Sequence, residues 1–137
     1  MRLRTNAAMV AMVAASALLL GGCAIRRVDM DRRNAEFQAT IPTCNSDQTC
    51  SAKWDAAQLW IVHHSGFKLQ TVTNVLMETY RGGANSAELA FRVTKEPVGG
   101  GVFQILVFAS CNNIVMCVPN GHEAAMAFNA SVGAGNL

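Results

Sequence analysis

Cysteine is the residue type in this sequence whose spacing could do the most chemistry. Four of the five cysteines form two copies of one spacing, Cys44-x5-Cys50 and Cys111-x5-Cys117. Such pairs can form disulfide bonds in an oxidising compartment, or they can bind a metal ion such as zinc. Structural zinc sites usually take cysteine pairs about two to four residues apart in reducing surroundings. The spacing therefore favours disulfides, provided that the chain is exported.

The fifth cysteine, Cys23, ends an N-terminal segment with the pattern of an export signal. Arg2 and Arg4 precede an uncharged stretch, AAMVAMVAASALLL, from Ala7 to Leu20. This stretch is shorter than the roughly 20 apolar residues that a transmembrane helix needs. The run Leu20-Gly21-Gly22-Cys23 matches the lipobox of bacterial lipoprotein precursors at every position. The chain thus resembles a bacterial lipoprotein precursor, which implies cleavage before Cys23 and lipidation of that residue.

The same resemblance implies where the mature chain works. Residues 1–22 would be the signal peptide, and Cys23 would carry acyl chains such as palmitate. Two acyl chains give stable anchoring, since each buried methylene contributes about 0.8 kcal/mol. Ala24 stands where an Asp would retain the protein in the inner membrane. This implies the outer membrane, with the mature domain on its periplasmic face.

Residues 23–43 are predicted to connect the lipid to the folded domain as a flexible tether. The stretch from Ala24 to Thr43 carries seven charged residues and shows little apolar periodicity. A flexible chain of about 20 residues has a root-mean-square reach of about 25 Å, so the domain would stay near the membrane. A short helix from Met30 to Gln38 is the alternative, which would change the reach but not the role.

Lipidation of Cys23 leaves four cysteines for disulfides, for which three connectivities are possible. In the chain-entropy model a local bridge contributes about 2.4 kcal/mol, and a crosslink between the two pairs about 4.4 kcal/mol. Chain entropy alone therefore favours the crosslinked arrangement. The repeated spacing favours local bridges, each of which would close a small loop beside a predicted helix. We favour the two local bridges, Cys44–Cys50 and Cys111–Cys117.

The charge of the chain argues against nucleic acid as a partner. Eleven basic residues face nine acidic ones in the whole chain, and removal of Arg2 and Arg4 leaves nine of each. From Cys44 onward five basic residues face six acidic ones. Domains that bind nucleic acid or anionic lipid through charge carry a basic excess, which this domain lacks.

Apolar periodicity predicts a first helix from Asp47 to His64. Three runs rich in Val, Thr and aromatic residues then predict strands, over Phe67–Tyr80, Leu89–Glu96 and Val102–Ser110. Asn74, in the middle of the first run, could mark a bulge or a bend. Short glycine-containing connections between the runs favour hairpins. The three strands are therefore predicted to form an antiparallel meander.

A second helix is predicted after Asn120, because Asn120 with Glu123 three residues later is a capping-box signature. The order helix, three strands, helix predicts an α+β domain over residues 44–132, with residues 133–137 frayed. We expect a two-layer sandwich in which both helices cover one face of the three-stranded meander. The predicted core residues are Trp54, Ile61, Leu69, Phe91, Val93, Ile105, Val107 and Phe128.

Histidines are the remaining candidates for metal or catalytic chemistry. His63 and His64 end the first predicted helix and His122 begins the second, so a metal-binding protein or an enzyme that uses them is an alternative. Adjacent side chains on a helix point about 100° apart and cannot both readily bind one ion. No activated nucleophile, carboxylate pair or phosphate-binding loop stands out. We therefore expect no enzyme activity, no metal and no cofactor.

The two tryptophans could present an aromatic surface to a partner. Trp54 and Trp60 are six residues apart on the predicted helix, which places them about 240° apart around its axis. One is therefore expected in the core and the other partly exposed. We predict that Trp60, together with His63 and Lys53, forms the partner surface.

The order of motifs along the mature chain resembles that of small proteobacterial lipoproteins, a resemblance that implies no activity. The order is C-x5-C, W-x2-A-x2-W, T-K-E-P and C-x5-C, carried here by Cys44, Cys50, Trp54, Ala57, Trp60, Thr94 to Pro97, Cys111 and Cys117. The leading hypothesis is a membrane-anchored, non-enzymatic module that contacts an envelope protein or the cell wall. A surface-exposed factor recognised by a host is a further alternative.

Overall fold

The computed structural model describes residues 26–135, so the predicted signal peptide, Cys23 and the last two residues of the tail lie outside the described part. The chain divides into two compact units, with the boundary between Ala39 and Thr40. Residues 26–40 form a helix, α1, on which Asp29 pairs with Arg32 and Arg33. This segment is therefore helical rather than coiled, and the helix is longer than the Met30–Gln38 alternative. Its role as a tether stays a prediction.

The second unit has the α+β composition that the sequence predicts. Its elements, in chain order, are β1 (Thr43–Cys44), α2 (Asp47–His64), β2 (Leu69–Val72), β3 (Leu76–Thr79), β4 (Ala90–Gly99), β5 (Val102–Ser110) and α3 (Gly121–Ala134). The predicted bounds of α2 and β5 are confirmed. The strands form one antiparallel sheet in the order β1-β5-β4-β3-β2.

The predicted three-stranded, two-layer arrangement is wrong, because the sheet has five strands. The run Phe67–Tyr80 is not one bent strand but a hairpin, β2 and β3, with Asn74 in its turn. The hydroxyl of Thr73 accepts hydrogen bonds from the backbone N–H groups of Val75 and Leu76, which closes that turn. The fifth strand is the two-residue β1, which pairs with Phe103 and Gln104 at the edge of β5.

The start of α2 is fixed by a reciprocal cap that begins at Ser46. Its hydroxyl accepts from the backbone N–H of Thr49, and the Thr49 hydroxyl accepts from the backbone N–H of Ser46. Two of the N–H groups that a helix start leaves unpaired are thereby bonded.

Replacement of the capping serine should cost a measurable part of the stability. Ser46→Ala is expected to lower the free energy of unfolding by about 1 kcal/mol, the usual contribution of a serine N-cap. Urea denaturation would measure the loss. Ser51→Ala, at an exposed position within α2, is the control and should leave the stability nearly unchanged; an equal loss in both variants would contradict the role of the cap.

Both disulfides are local, as the repeated spacing predicts. Cys44 is bonded to Cys50 and Cys111 to Cys117. The first bridge ties edge strand β1 to the first turn of α2. The second closes the loop between β5 and the segment that enters α3.

The core lies between the two helices and one face of the sheet. Alternate side chains of the central strands, Met77, Phe91, Val93 and Ile105, are buried against residues of α2 and α3. Six of the eight predicted core residues belong to this cluster, and the other two, Leu69 and Val107, are partly buried and pack against it. On the opposite face of the sheet, Arg92 and Phe108 are exposed.

The expectation that one tryptophan would be partly exposed is wrong. Trp54 and Trp60 are 7% and 5% exposed. Trp60 meets the rings of Phe91 and Phe128 edge-on, whereas Trp54 donates its indole N–H to the carbonyl of Thr73 in the β2–β3 turn. Because α2 contacts the sheet and α3 along different sides, its buried arc is wide enough for both rings.

Candidate functional site

The three residues of the predicted partner surface do not line one common cavity. Lys53 donates from Nζ to the carbonyl of Thr43, 2.8 Å away, and lines a cleft beside the first disulfide. Trp60 is buried, with one side lining a different cavity. His63 is exposed at the end of α2 and lines neither of these spaces.

The cavity beside Trp60 and His64, which we call the Trp60–His64 cavity, has the strongest features of a binding site. It has a volume of about 260 Å³ and opens between the last turn of α2 and the first turns of α3. Its walls are almost entirely apolar. Its lining consists of Trp60, His64, Phe91, Pro119, Glu123, Ala124 and Ala127.

His64, and not the predicted His63, is the histidine at this cavity. Its ring lies parallel to the Trp60 indole, with 4.1 Å between ring centroids and 7° between planes. Residues four apart on a helix lie on the same face, so the spacing Trp60-x3-His64 produces this stack directly. The i,i+4 pair is the sequence signal that would have identified the site.

The backbone also fixes how the imidazole can interact. Nδ1 of His64 lies 2.8 Å from the carbonyl oxygen of Trp60 and donates to it. This bond leaves Nε2 as an acceptor in the neutral ring, or as a second donor in the protonated ring. A ligand that enters the cavity thus meets a directional polar group beside an aromatic wall.

The side of the cavity opposite His64 comes from the start of α3. Asn120 accepts through its side chain from the backbone N–H of His122, which confirms Asn120 as the N-cap, without the reciprocal Glu123 bond of the predicted capping box. The cap sets the direction of α3 and places Glu123, Ala124 and Ala127 along the opening. Glu123 is exposed and brings a carboxylate to the rim. Apolar walls, one imidazole and one carboxylate fit an apolar side chain next to a hydrogen-bond donor or a positive charge.

A second cavity, of about 240 Å³, lies on the open face of the sheet but is less suited to binding. Arg81, Arg92, Phe108 and Ser110 are among its lining residues. The guanidinium of Arg92 already pairs with Glu78 at 3.4 Å, which offsets its charge. The lining of this cavity is also more polar than that of the Trp60–His64 cavity.

The predicted histidines do not form one metal site among the described residues. Within residues 26–135, no three His, Cys, Asp or Glu side chains lie close enough together to hold a metal ion. His122 is exposed at the first turn of α3. A metal-binding or enzymatic role for His63, His64 or His122 stays a prediction. Among the helices of the same residues, none is both long and apolar enough to cross a membrane.

Comparison with known proteins finds no relative of this chain. No protein-family model, curated protein or solved structure matches the chain. The resemblance to bacterial lipoprotein precursors accordingly stays a prediction from the lipobox.

Proposed function

We propose that this protein is an outer-membrane lipoprotein whose periplasmic domain binds another envelope protein without catalysis. Cys23 would hold the chain at the membrane, and the Trp60–His64 cavity would receive an apolar side chain of the partner. The observation that carries this proposal is the cavity itself, an aromatic-walled space of about 260 Å³ that is open to solvent. Such concave apolar spaces with few polar groups are the usual form of binding sites.

The rim of the cavity selects the kind of segment that fits. Glu123 provides a carboxylate and His64 provides Nε2, so a basic residue or a free N–H next to the apolar anchor of the partner would be complementary. Buried aromatic contacts of this type often dominate the binding energy of an interface. The favoured partner is thus an envelope protein with an exposed apolar residue flanked by a positive charge.

Filling the cavity tests the proposal. Ala127 is exposed and lines the opening, so Ala127→Phe should occupy the space without disturbing the core. Recovery of the partner with the full-length protein, purified after crosslinking in intact cells, is expected to fall about tenfold, which corresponds to about 1.4 kcal/mol of binding energy. Mass spectrometry of the N-terminal peptide reports lipidation of Cys23 separately.

Ala52→Phe is the matched control, since Ala52 is an exposed helical alanine that does not line the cavity. It should leave partner recovery at the wild-type level. Equal recovery with Ala127→Phe and wild type would contradict the cavity as the binding site. Crosslinking that captures no envelope protein at all would contradict the whole proposal.

A further inference from the structure

Among the described residues of the second unit, the loop closed by the second disulfide displays the most exposed large apolar side chains. Ile114, Val115 and Met116 are 93%, 80% and 63% exposed, and Val118 just after the bridge is 59% exposed. Single exposed apolar residues are common, but consecutive ones mark interaction surfaces. We call residues 111–118 the apolar loop.

A disulfide and two side-chain hydrogen bonds restrain the apolar loop. The disulfide joins its first residue, Cys111, to Cys117. Asn112 and Asn113 donate through their side-chain amides to the carbonyls of Gly82 and Asn85. A tip that is already ordered loses little conformational entropy when it binds.

Two backbone N–H groups at the tip are already hydrogen-bonded within the loop. Oδ1 of Asn113 accepts from the N–H groups of Val115 and Met116, at 2.8 and 3.1 Å. Unpaired backbone N–H groups are costly in hydrocarbon, so these bonds remove one obstacle to insertion. From Pro97 to His122 the sequence contains no Asp, Glu, Lys or Arg, so no such side chain would have to be buried with the tip.

One charged residue of each sign lies beside the base of the loop. Arg81 lines a crevice with Cys111 and Asn112, where its guanidinium could contact a lipid phosphate. The backbone of Glu88 pairs with Val118, and its carboxylate lies over Gly66. Binding through this surface would therefore depend on apolar contact more than on anionic lipid.

We infer that the apolar loop inserts into the interfacial region of the lipid bilayer, as a second membrane contact besides the lipid on Cys23. This inference rests on the proposed lipid anchor, which keeps the domain near a bilayer. Three consecutive exposed apolar side chains, an uncharged sequence and bonded N–H groups favour a fluid apolar medium over a protein groove, which would usually offer polar partners. Contact through a few side chains is weak alone and becomes effective when an anchor supplies a high local concentration.

The position of the tip can be measured with a fluorescent residue. Val115→Trp in the full-length lipidated protein, reconstituted in phosphatidylcholine and phosphatidylglycerol vesicles, should show a blue-shifted emission and lose intensity when the lipid acyl chains carry bromine. Insertion to a depth of about 5–10 Å brings the indole into the range of bromine on the upper acyl chain. Wild-type protein supplies the background from the buried Trp54 and Trp60.

Val62→Trp is the matched control, because Val62 is a 54% exposed valine on α2. Quenching of the residue at position 115 and not of that at position 62 would support insertion. An unquenched indole at position 115 in the lipidated protein would overturn insertion. Crosslinking from position 115 to protein alone would then indicate that a protein groove receives the loop.

The mass of the N-terminal peptide separates this inference from the proposed function. A chain without acyl mass on Cys23 would overturn the lipid anchor. Loop insertion would then be judged with that chain tethered to the same vesicles through an N-terminal histidine tag and a nickel-chelating lipid. Bromine quenching of the indole at position 115 that is lost in an Ile114→Ser, Met116→Ser variant would support insertion, and quenching that is absent, or unchanged by those substitutions, would overturn it.

Discussion

Phe128→Ala is expected to lower the free energy of unfolding by about 3–5 kcal/mol, the range for removal of a large buried aromatic side chain. Phe128 is fully buried in α3 and meets the Trp60 ring edge-on, with ring centroids 5.3 Å apart. It belongs to the cluster in which α2, α3 and the sheet meet, so its loss leaves a cavity between three elements. The total stability of a domain this size is often of similar magnitude, and the variant is expected to be partly unfolded at 37 °C.

Phe108→Ala is the control for this prediction. Phe108 is 60% exposed on the open face of β5, so its removal should change the stability by much less. Chemical denaturation of both variants gives the comparison. A Phe128→Ala loss no larger than that of Phe108→Ala would mean that α3 is not part of the cooperative core.

Removal of the Cys44–Cys50 bridge is expected to cost about 2–5 kcal/mol, the usual range for a native disulfide in a small exported domain. Both bridges join residues six positions apart, so the chain-entropy contribution should be equal for the two. Cys44 and Cys50 are, however, 4% and 6% exposed. Serine at these positions places hydroxyl groups in the core, where an unpaired one costs about 1–3 kcal/mol more.

Thermal melting of two double variants measures the difference. Cys44→Ser with Cys50→Ser should melt well below Cys111→Ser with Cys117→Ser, since the second pair is only partly buried. The paired substitutions avoid a free thiol that could form a wrong disulfide. The reverse order of melting temperatures would show that the loop bridge, rather than the β1–α2 bridge, carries the larger share of stability.

The elements with strong local signals were predictable from the sequence. Asp47–His64 has an uninterrupted apolar period without Pro or Gly, and the structure gives α2 the same bounds. Val102–Ser110 lies between three glycines and a cysteine, and β5 has those limits. The repeated spacing of the cysteines predicts the local disulfides. Chain entropy alone favours crosslinks between the two pairs, so it would have given the wrong connectivity.

The sequence predictions failed for elements that depend on tertiary contacts. The pairing of β1 involves two residues held at the edge of β5, so no periodicity could have revealed it. The turn between β2 and β3 depends on one hydroxyl, that of Thr73, within a run whose composition is uniformly that of a strand. Helical geometry separates Trp54 from Trp60, but only the packed structure shows that α2 is buried on both of those sides.

The candidate site was predictable at one residue and not at its neighbours. Trp60 was selected for its type, and it does line the cavity. The sequence prediction names His63, whereas the i,i+4 spacing places His64 on the Trp60 ring. Pro119 and Ala127 contribute only through the approach of α3 to α2, which connects residues far apart in the sequence.

The two-residue strand β1 covers part of the edge of an aggregation-prone strand. The segment from Phe103 to Ala109 is an uncharged, proline-free run of the kind that assembles into cross-β fibrils. β1 occupies part of the outer edge of β5, and the Cys44–Cys50 bridge prevents it from leaving. A reducing compartment would free that edge as a template for other chains. Reduction of this bridge is therefore expected to lower the solubility of the protein as well as its stability.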